Sequence, residues 1–147
     1  MAYIEKTIVA GEHIFKEKGF SARYGKKNIP RGPNWNECTE VQRRRNELLK
    51  KKRIVWAICA NFKKTDWWIT LTYRRCERPD SMSVAKKHRS RFIRRLRDKL
   101  KKKDIPLTYT AMTERGVKGG LHHHFIIKNV FDIGIIISLW EHGKVHI

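Results

Sequence analysis

Four residues of this chain have the types and spacing to hold a metal ion: the run His122, His123 and His124, and Glu114 before it. Successive side chains on a β-strand point to opposite faces. In the segment Leu121 to Lys128 that parity groups His123 with Leu121, Phe125 and Ile127 on a core side, and leaves His122 and His124 together on the other. Glu114 ends the segment Leu107 to Glu114. The Gly-rich turn Arg115 to Gly120 returns the chain so that Glu114 lies beside His122 once the two segments pair as a hairpin. Two imidazoles and a carboxylate with open coordination positions suit a divalent ion such as Mn2+ or Mg2+ that also meets a substrate phosphate. The competing reading makes the histidines a surface or sheet feature. Two of them on one strand face, opposite a carboxylate, favour the metal.

The elements that position this cluster are read from periodicity. Tyr3 to Lys16 reads as an N-terminal arm, a hairpin turning near Ala10-Gly11, and Gly19 to Cys38, rich in Gly, Pro and Asn, as a long basic loop. A helix is expected over Glu40 to Phe62, with Thr39 and Gln42 forming a capping box and Val41, Leu48, Leu49, Val55, Trp56 and Cys59 at helical spacing. Asp66 to Arg74 alternates as a strand, with Trp67, Ile69, Leu71 and Tyr73 on one face and Trp68, Thr70 and Thr72 on the other. Tyr73 reads as a packing residue. A second helix follows over Ser83 to Lys103, with an apolar stripe of Val84, His88, Phe92, Leu96 and Leu100. After the two strands around Glu114 and the histidines come a short apolar helix, Phe131 to His142, and the start of another strand at Lys144 to Ile147. This order predicts an α+β fold, an antiparallel β-sheet with helices packed on it. Its divisions are a 1–38 arm and basic loop and a 39–147 domain.

Charge says what such a fold meets. The 147 residues carry 34 Lys and Arg against 14 Asp and Glu, a net charge of +20. A surplus of +17 sits between residues 41 and 105, and the last 42 residues are nearly neutral. Such a balance points to a polyanion, nucleic acid before an anionic membrane. Five Trp and six Phe argue against a disordered basic tail. Three scattered cysteines, none in Cys-x-x-Cys spacing, exclude a disulfide scaffold and a zinc knuckle. The longest apolar runs, Ile54 to Cys59 and Ile133 to Trp140, are too short for a membrane span, and the first residues lack a signal-peptide core. A cytoplasmic protein is expected.

Together these segments resemble the rolling-circle replication initiators (Rep) of the HUH endonuclease superfamily. Trp67-Trp68-Ile69-Thr70-Leu71-Thr72-Tyr73 is similar to their first motif, and His122-His123-His124 to their His-hydrophobe-His motif. Thr113-Glu114-Arg115-Gly116 is similar to the acidic turn that supplies a third metal ligand. The likeness is strongest to plasmid and phage proteins related to the filamentous-phage gene II replication protein. It extends to Tyr3-Ile4-Glu5-Lys6-Thr7-Ile8, Arg23-Tyr24-Gly25-Lys26-Lys27 and Ala60-Asn61-Phe62-Lys63. The chain departs from the pattern in the middle histidine, His123, and in the third motif. In the family that motif carries a nucleophilic Tyr on a helix beyond the strand that starts near Lys144, whereas Tyr3, Tyr24, Tyr73 and Tyr109 all precede it.

The resemblance implies an HUH or ferredoxin-like variant fold, incomplete at its C-terminus, in a bacterial host's cytoplasm. It implies metal-assisted nicking of single-stranded origin DNA, in which a Tyr hydroxyl attacks the scissile phosphate. On that reading Glu114, His122 and His124 hold the metal, host replication proteins are possible partners, and no residue before Ile147 is the nucleophile. The isolated chain is then expected to bind metal and DNA without forming a phosphotyrosyl adduct. Thr70 and Thr72, with Arg74 beyond them, are expected to line the site, Arg91, Arg94 and Arg95 to grip DNA phosphates, and Lys118 to meet a phosphate from the turn. Trp68 is a candidate for base stacking. The alternatives are a non-enzymatic nucleic-acid-binding α+β domain with incidental histidines, and an HUH transposase or relaxase fragment.

Overall fold

The N-terminal strands pair without a break in register. In the computed structural model, which describes residues 3–20, 37–117 and 119–147, β1 (Tyr3–Ala10) and β2 (His13–Phe20) form an antiparallel hairpin from Tyr3↔Phe20 to Ala10↔His13. Gly11 turns it at a φ of 60°, in the left-handed region that glycine enters at no steric cost. Most of the expected loop, with Tyr24, lies outside the described residues. Helix α1 (Glu40–Asn61) starts at the capping box. The Gln42 N–H donates to Thr39 Oγ1 at 3.3 Å, and the Thr39 N–H donates to Gln42 Oε1 at 3.0 Å.

Two compact units divide the chain, Met1–Asn61 and Phe62–Ile147, which groups α1 with the hairpin. Within the first unit the hairpin meets α1 through Phe15 and Trp56, 6.3 Å between ring centroids, and through the Lys52–Glu17 ion pair. No residue of α1 is buried, and Val41, Leu48 and Val55 of its expected apolar stripe are exposed. A two-stranded ribbon has too little area to cover a helix of this length.

The second unit carries a single hydrophobic core. Its sheet runs β4 (Tyr109–Arg115), β5 (Leu121–Ile127), β3 (Trp67–Thr72), β6 (Val145–His146) in space, with every neighbouring pair antiparallel. One face packs against α2 (Met82–Lys101) and α3 (Gly134–Leu139). Ile69, Leu71, Phe125 and Ile127 from the strands meet Phe92, Leu96 and Leu100 of α2, and Ile136 and Trp140 from the α3 region. Ser81 caps α2, accepting the Val84 N–H at 3.3 Å. The α+β class expected from the sequence is the class observed.

The third helix is shorter than the apolar run that announced it. Trp140 leaves the helix with extended backbone, and its ring enters the core, where the indole N–H donates to the Thr72 carbonyl at 2.9 Å. Burying an indole while satisfying its donor fixes where the helix ends. Among the described residues no helix is long and apolar enough to cross a membrane.

Candidate metal centre

Strand β5 alternates buried and half-buried along its whole length. Leu121, His123, Phe125 and Ile127 face the core, and His122, His124 and Ile126 face the other side. Strand β4 pairs Glu114 with His122 and Met112 with His124. Strand β3, on the other flank, pairs Thr70 with His124 and Thr72 with His122. The turn between β4 and β5 is held by the Gly116 N–H donating to the Gly120 carbonyl at 2.8 Å, with Gly119 at a φ of 78°. The register follows from the position of that turn, and it brings the carboxylate and both imidazoles to one face. The ligand-capable atoms of Glu114, His122 and His124 all lie within 4.8 Å of one another.

Glu114 Oε1 lies 2.8 Å from His122 Nε2 and 3.0 Å from His124 Nε2. Hydrogen bonds from His124 first, then His122, hold the Glu114 carboxyl below the usual carboxylate range. Nδ1 of His122 faces the Gly120 carbonyl at 3.4 Å. A carbonyl only accepts, so if His122 gives Nε2 to a metal its Nδ1–H can point to Gly120. In the structure each Nε2 lies at hydrogen-bond distance from the carboxylate, and once deprotonated the same three groups offer lone pairs to a divalent ion. Nδ1 of His124 lies 3.0 Å from Thr70 Oγ1, whose hydroxyl can donate or accept and so serves either tautomer. The donor set therefore fits a divalent ion.

Behind the strand, the third histidine is engaged differently. His123 is fully buried. Its Nδ1 lies 2.9 Å from Thr113 Oγ1 and its Nε2 lies 2.7 Å from the Tyr73 hydroxyl. Arg89 of α2 donates to the same Thr113 oxygen at 2.8 Å. Burial first, then the Arg89 charge, lowers the His123 pKa to about 4, and burial raises Tyr73 to about 12, so both are neutral in the folded protein. His123 thus occupies a core position as a polar group with both nitrogens satisfied. The strand parity found its face, and only the structure shows that Tyr73 and Thr113 hold it there. Tyr73 is a hydrogen-bonding member of the core as well as a packing residue.

The other residues singled out from the sequence separate into groups. Thr70 and Thr72 stand on the triad's face, and the Thr72 hydroxyl donates to the Lys144 carbonyl at 3.2 Å. Arg74, just past β3, donates to the Glu141 carbonyl, which ties the strand end to the segment after α3. Arg91, Arg94 and Arg95 sit on α2, which packs on the opposite side of the sheet from the triad. Arg95 is engaged by Glu141 at 2.6 Å, while Arg91 and Arg94 are exposed. Lys118 lies outside the described residues. Trp68, 67% exposed, shares the triad's face. One residue there escaped the sequence reading: His146 pairs with Thr70 across β6, with its Nε2 3.4 Å from Thr72 Oγ1. Alternation against the core-packed Val145 was the available signal. Tyr73 and Tyr109 both pack against the core, on the face away from the triad.

A model of the family described as replication-associated protein, ORF2 or gene II protein, matches residues 66–147. That span holds every strand of the four-stranded sheet and all three triad residues. No curated protein and no solved structure matches the chain.

Proposed function

Because the chain belongs to the replication-associated protein family of ORF2 and gene II protein, we propose that it acts in rolling-circle DNA replication, with Glu114, His122 and His124 holding a divalent metal ion, Mn2+ or Mg2+, at a phosphodiester of single-stranded origin DNA. The observation that carries this reading is the convergence of one carboxylate and two imidazoles on the open face of the sheet. An ion bound there supplies Lewis-acid stabilisation of the charge that develops on a phosphoryl oxygen during strand cleavage.

The residues around the triad have supporting tasks. Thr70 orients His124 through its hydroxyl, and the Gly120 carbonyl orients His122. Trp68 offers an exposed ring on which an unpaired base can stack. Tyr73 and Tyr109 are turned to the core, so neither delivers a hydroxyl to a phosphate at the triad. The nucleophile for strand cleavage comes from elsewhere than these two residues.

Fluorescence anisotropy of a labelled single-stranded oligonucleotide, with Mn2+ and with EDTA, tests the reading. Mn2+ should tighten binding by the full chain, and the combined change Glu114→Ala, His122→Ala and His124→Ala should abolish the difference. Equal binding with and without Mn2+ in the unmodified chain would leave a metal-free nucleic-acid-binding domain as the better description.

A further inference from the structure

We propose that the outward face of α2 is a second DNA-binding surface, one that takes the phosphate backbone of duplex DNA while the metal-bearing face takes the single strand. The inference rests on the reading of the chain as a DNA-binding replication protein. It adds a second surface and assigns a different form of DNA to each.

Placement is the first argument. Phe92 of α2 meets Phe125 of β5 edge-on at 5.5 Å, and Ala85, Leu96 and Leu100 are buried along the same side of the helix. Phe125 alternates with His122 and His124, so α2 and the triad lie on opposite faces of the sheet. The outer side of α2 is separated from the triad by the sheet and by a helix about 10–12 Å across. A phosphate at the triad is therefore not the phosphate that Arg94 contacts.

Charge and composition supply the second argument. Lys86, Lys87, Arg91, Arg94, Arg97 and Lys101 are all exposed on α2, with Asp98 the helix's one acidic residue. Ser83, Lys86, Lys87, Ser90, Arg91 and Arg94 line one open depression on this side. From Lys86 to Lys101 the helix rises about 22 Å, the length of roughly six base pairs of duplex. Phe92, the helix's one phenyl ring, is buried, and His88 is engaged by Tyr73 and His142, so this surface presents unpaired bases with no exposed aromatic ring. Surfaces selective for single strands combine positive charge with exposed aromatics. Trp68 gives the triad's face such a ring, and α2 has only charges, which read phosphates.

The test compares a 20-base-pair duplex with a single strand of the same sequence, binding to the full chain over a range of salt concentrations. Changing Lys87, Arg94 and Lys101 to Gln should weaken duplex binding at least tenfold. It should also make the slope of log K against log salt shallower by about 2.7, since each lost phosphate contact removes about 0.9. Single-strand affinity should stay within about twofold, and Mn2+-induced thermal stabilisation should be retained. Should the triple variant fold poorly, Arg94→Gln alone should reduce the duplex slope by about 0.9, and Arg94→Lys should restore it. Equal losses on duplex and single strand, or an unchanged duplex slope, would overturn the two-surface assignment. The triad variant separates the two readings: it should keep duplex binding, whereas absence of Mn2+ stabilisation in the unmodified chain would count against the metal centre and leave the duplex surface standing.

Discussion

Replacing His123 by Leu tests whether the middle histidine acts as a bonded polar member of the core. Leu fills much of the volume but leaves the Tyr73 hydroxyl without its partner at 2.7 Å, while Thr113 keeps its bond from Arg89. A half-buried hydroxyl orphaned in this way costs about 1–3 kcal/mol. The same cost applies to Tyr73→Phe, which orphans Nε2 of His123. The double variant removes both partners together, so its destabilisation should fall short of the sum of the singles by at least about 1 kcal/mol. A pH series supplies an independent magnitude. The folded His123 resists protonation down to about pH 4, whereas the unfolded chain takes up that proton near pH 6.5. The stability it contributes is present above pH 6.5 and is lost as the pH falls toward 4, on the order of 3 kcal/mol across that window. Urea unfolding followed by tryptophan fluorescence, in EDTA so that no metal intervenes, measures both effects. The His123→Leu variant should lose less stability on acidification than the unmodified chain by about that amount. Additive single and double variants, or identical acid sensitivity in the two proteins, would refute the buried network.

Three further outcomes are expected. Thr70→Val should weaken Mn2+ binding about 10- to 100-fold with both histidines intact, because it removes the group that orients His124, as titration calorimetry would register. Gly143→Ala should destabilise the second unit by about 2–3 kcal/mol, since a Cβ there runs into the Thr72 carbonyl and the Tyr73 Cα; thermal unfolding should show the drop. Thr39→Ala should remove one half of the reciprocal cap of α1 and cost the first unit about 1 kcal/mol, with amide exchange rising in the first turn of that helix and unchanged in the sheet.

The candidate centre was legible in the sequence because strands and hairpins obey a period of two. Parity alone assigned His122 and His124 to one face and His123 to the other, and the turn after Glu114 fixed which carboxylate would stand beside them. The apolar stripe of α2 was legible for the same kind of reason, as Phe92, Leu96 and Leu100 recur one turn apart and are buried. Three features were not. The stripe of α1 has helical spacing, yet Val41, Leu48, Leu49 and Val55 are exposed and only Trp56 and Cys59 are half-buried, since periodicity reports a capacity to pack and not the size of the partner. The sequence also marked the basic residues of α2 for DNA phosphates without showing that they lie across the sheet from the triad, because it reveals charge but not which side of a sheet a helix covers. The bond from His123 to Tyr73 joins residues 50 positions apart, a distance that local pattern does not span.

The account stands most directly on metal binding by the triad. Isothermal titration of Mn2+ into the purified full chain should give one site per chain. That site should disappear when Glu114, His122 and His124 are all changed to Ala and remain when His146, on the same face, is changed to Ala. Stoichiometric Mn2+ binding that persists in the triad variant, or none in the unmodified chain, would contradict it.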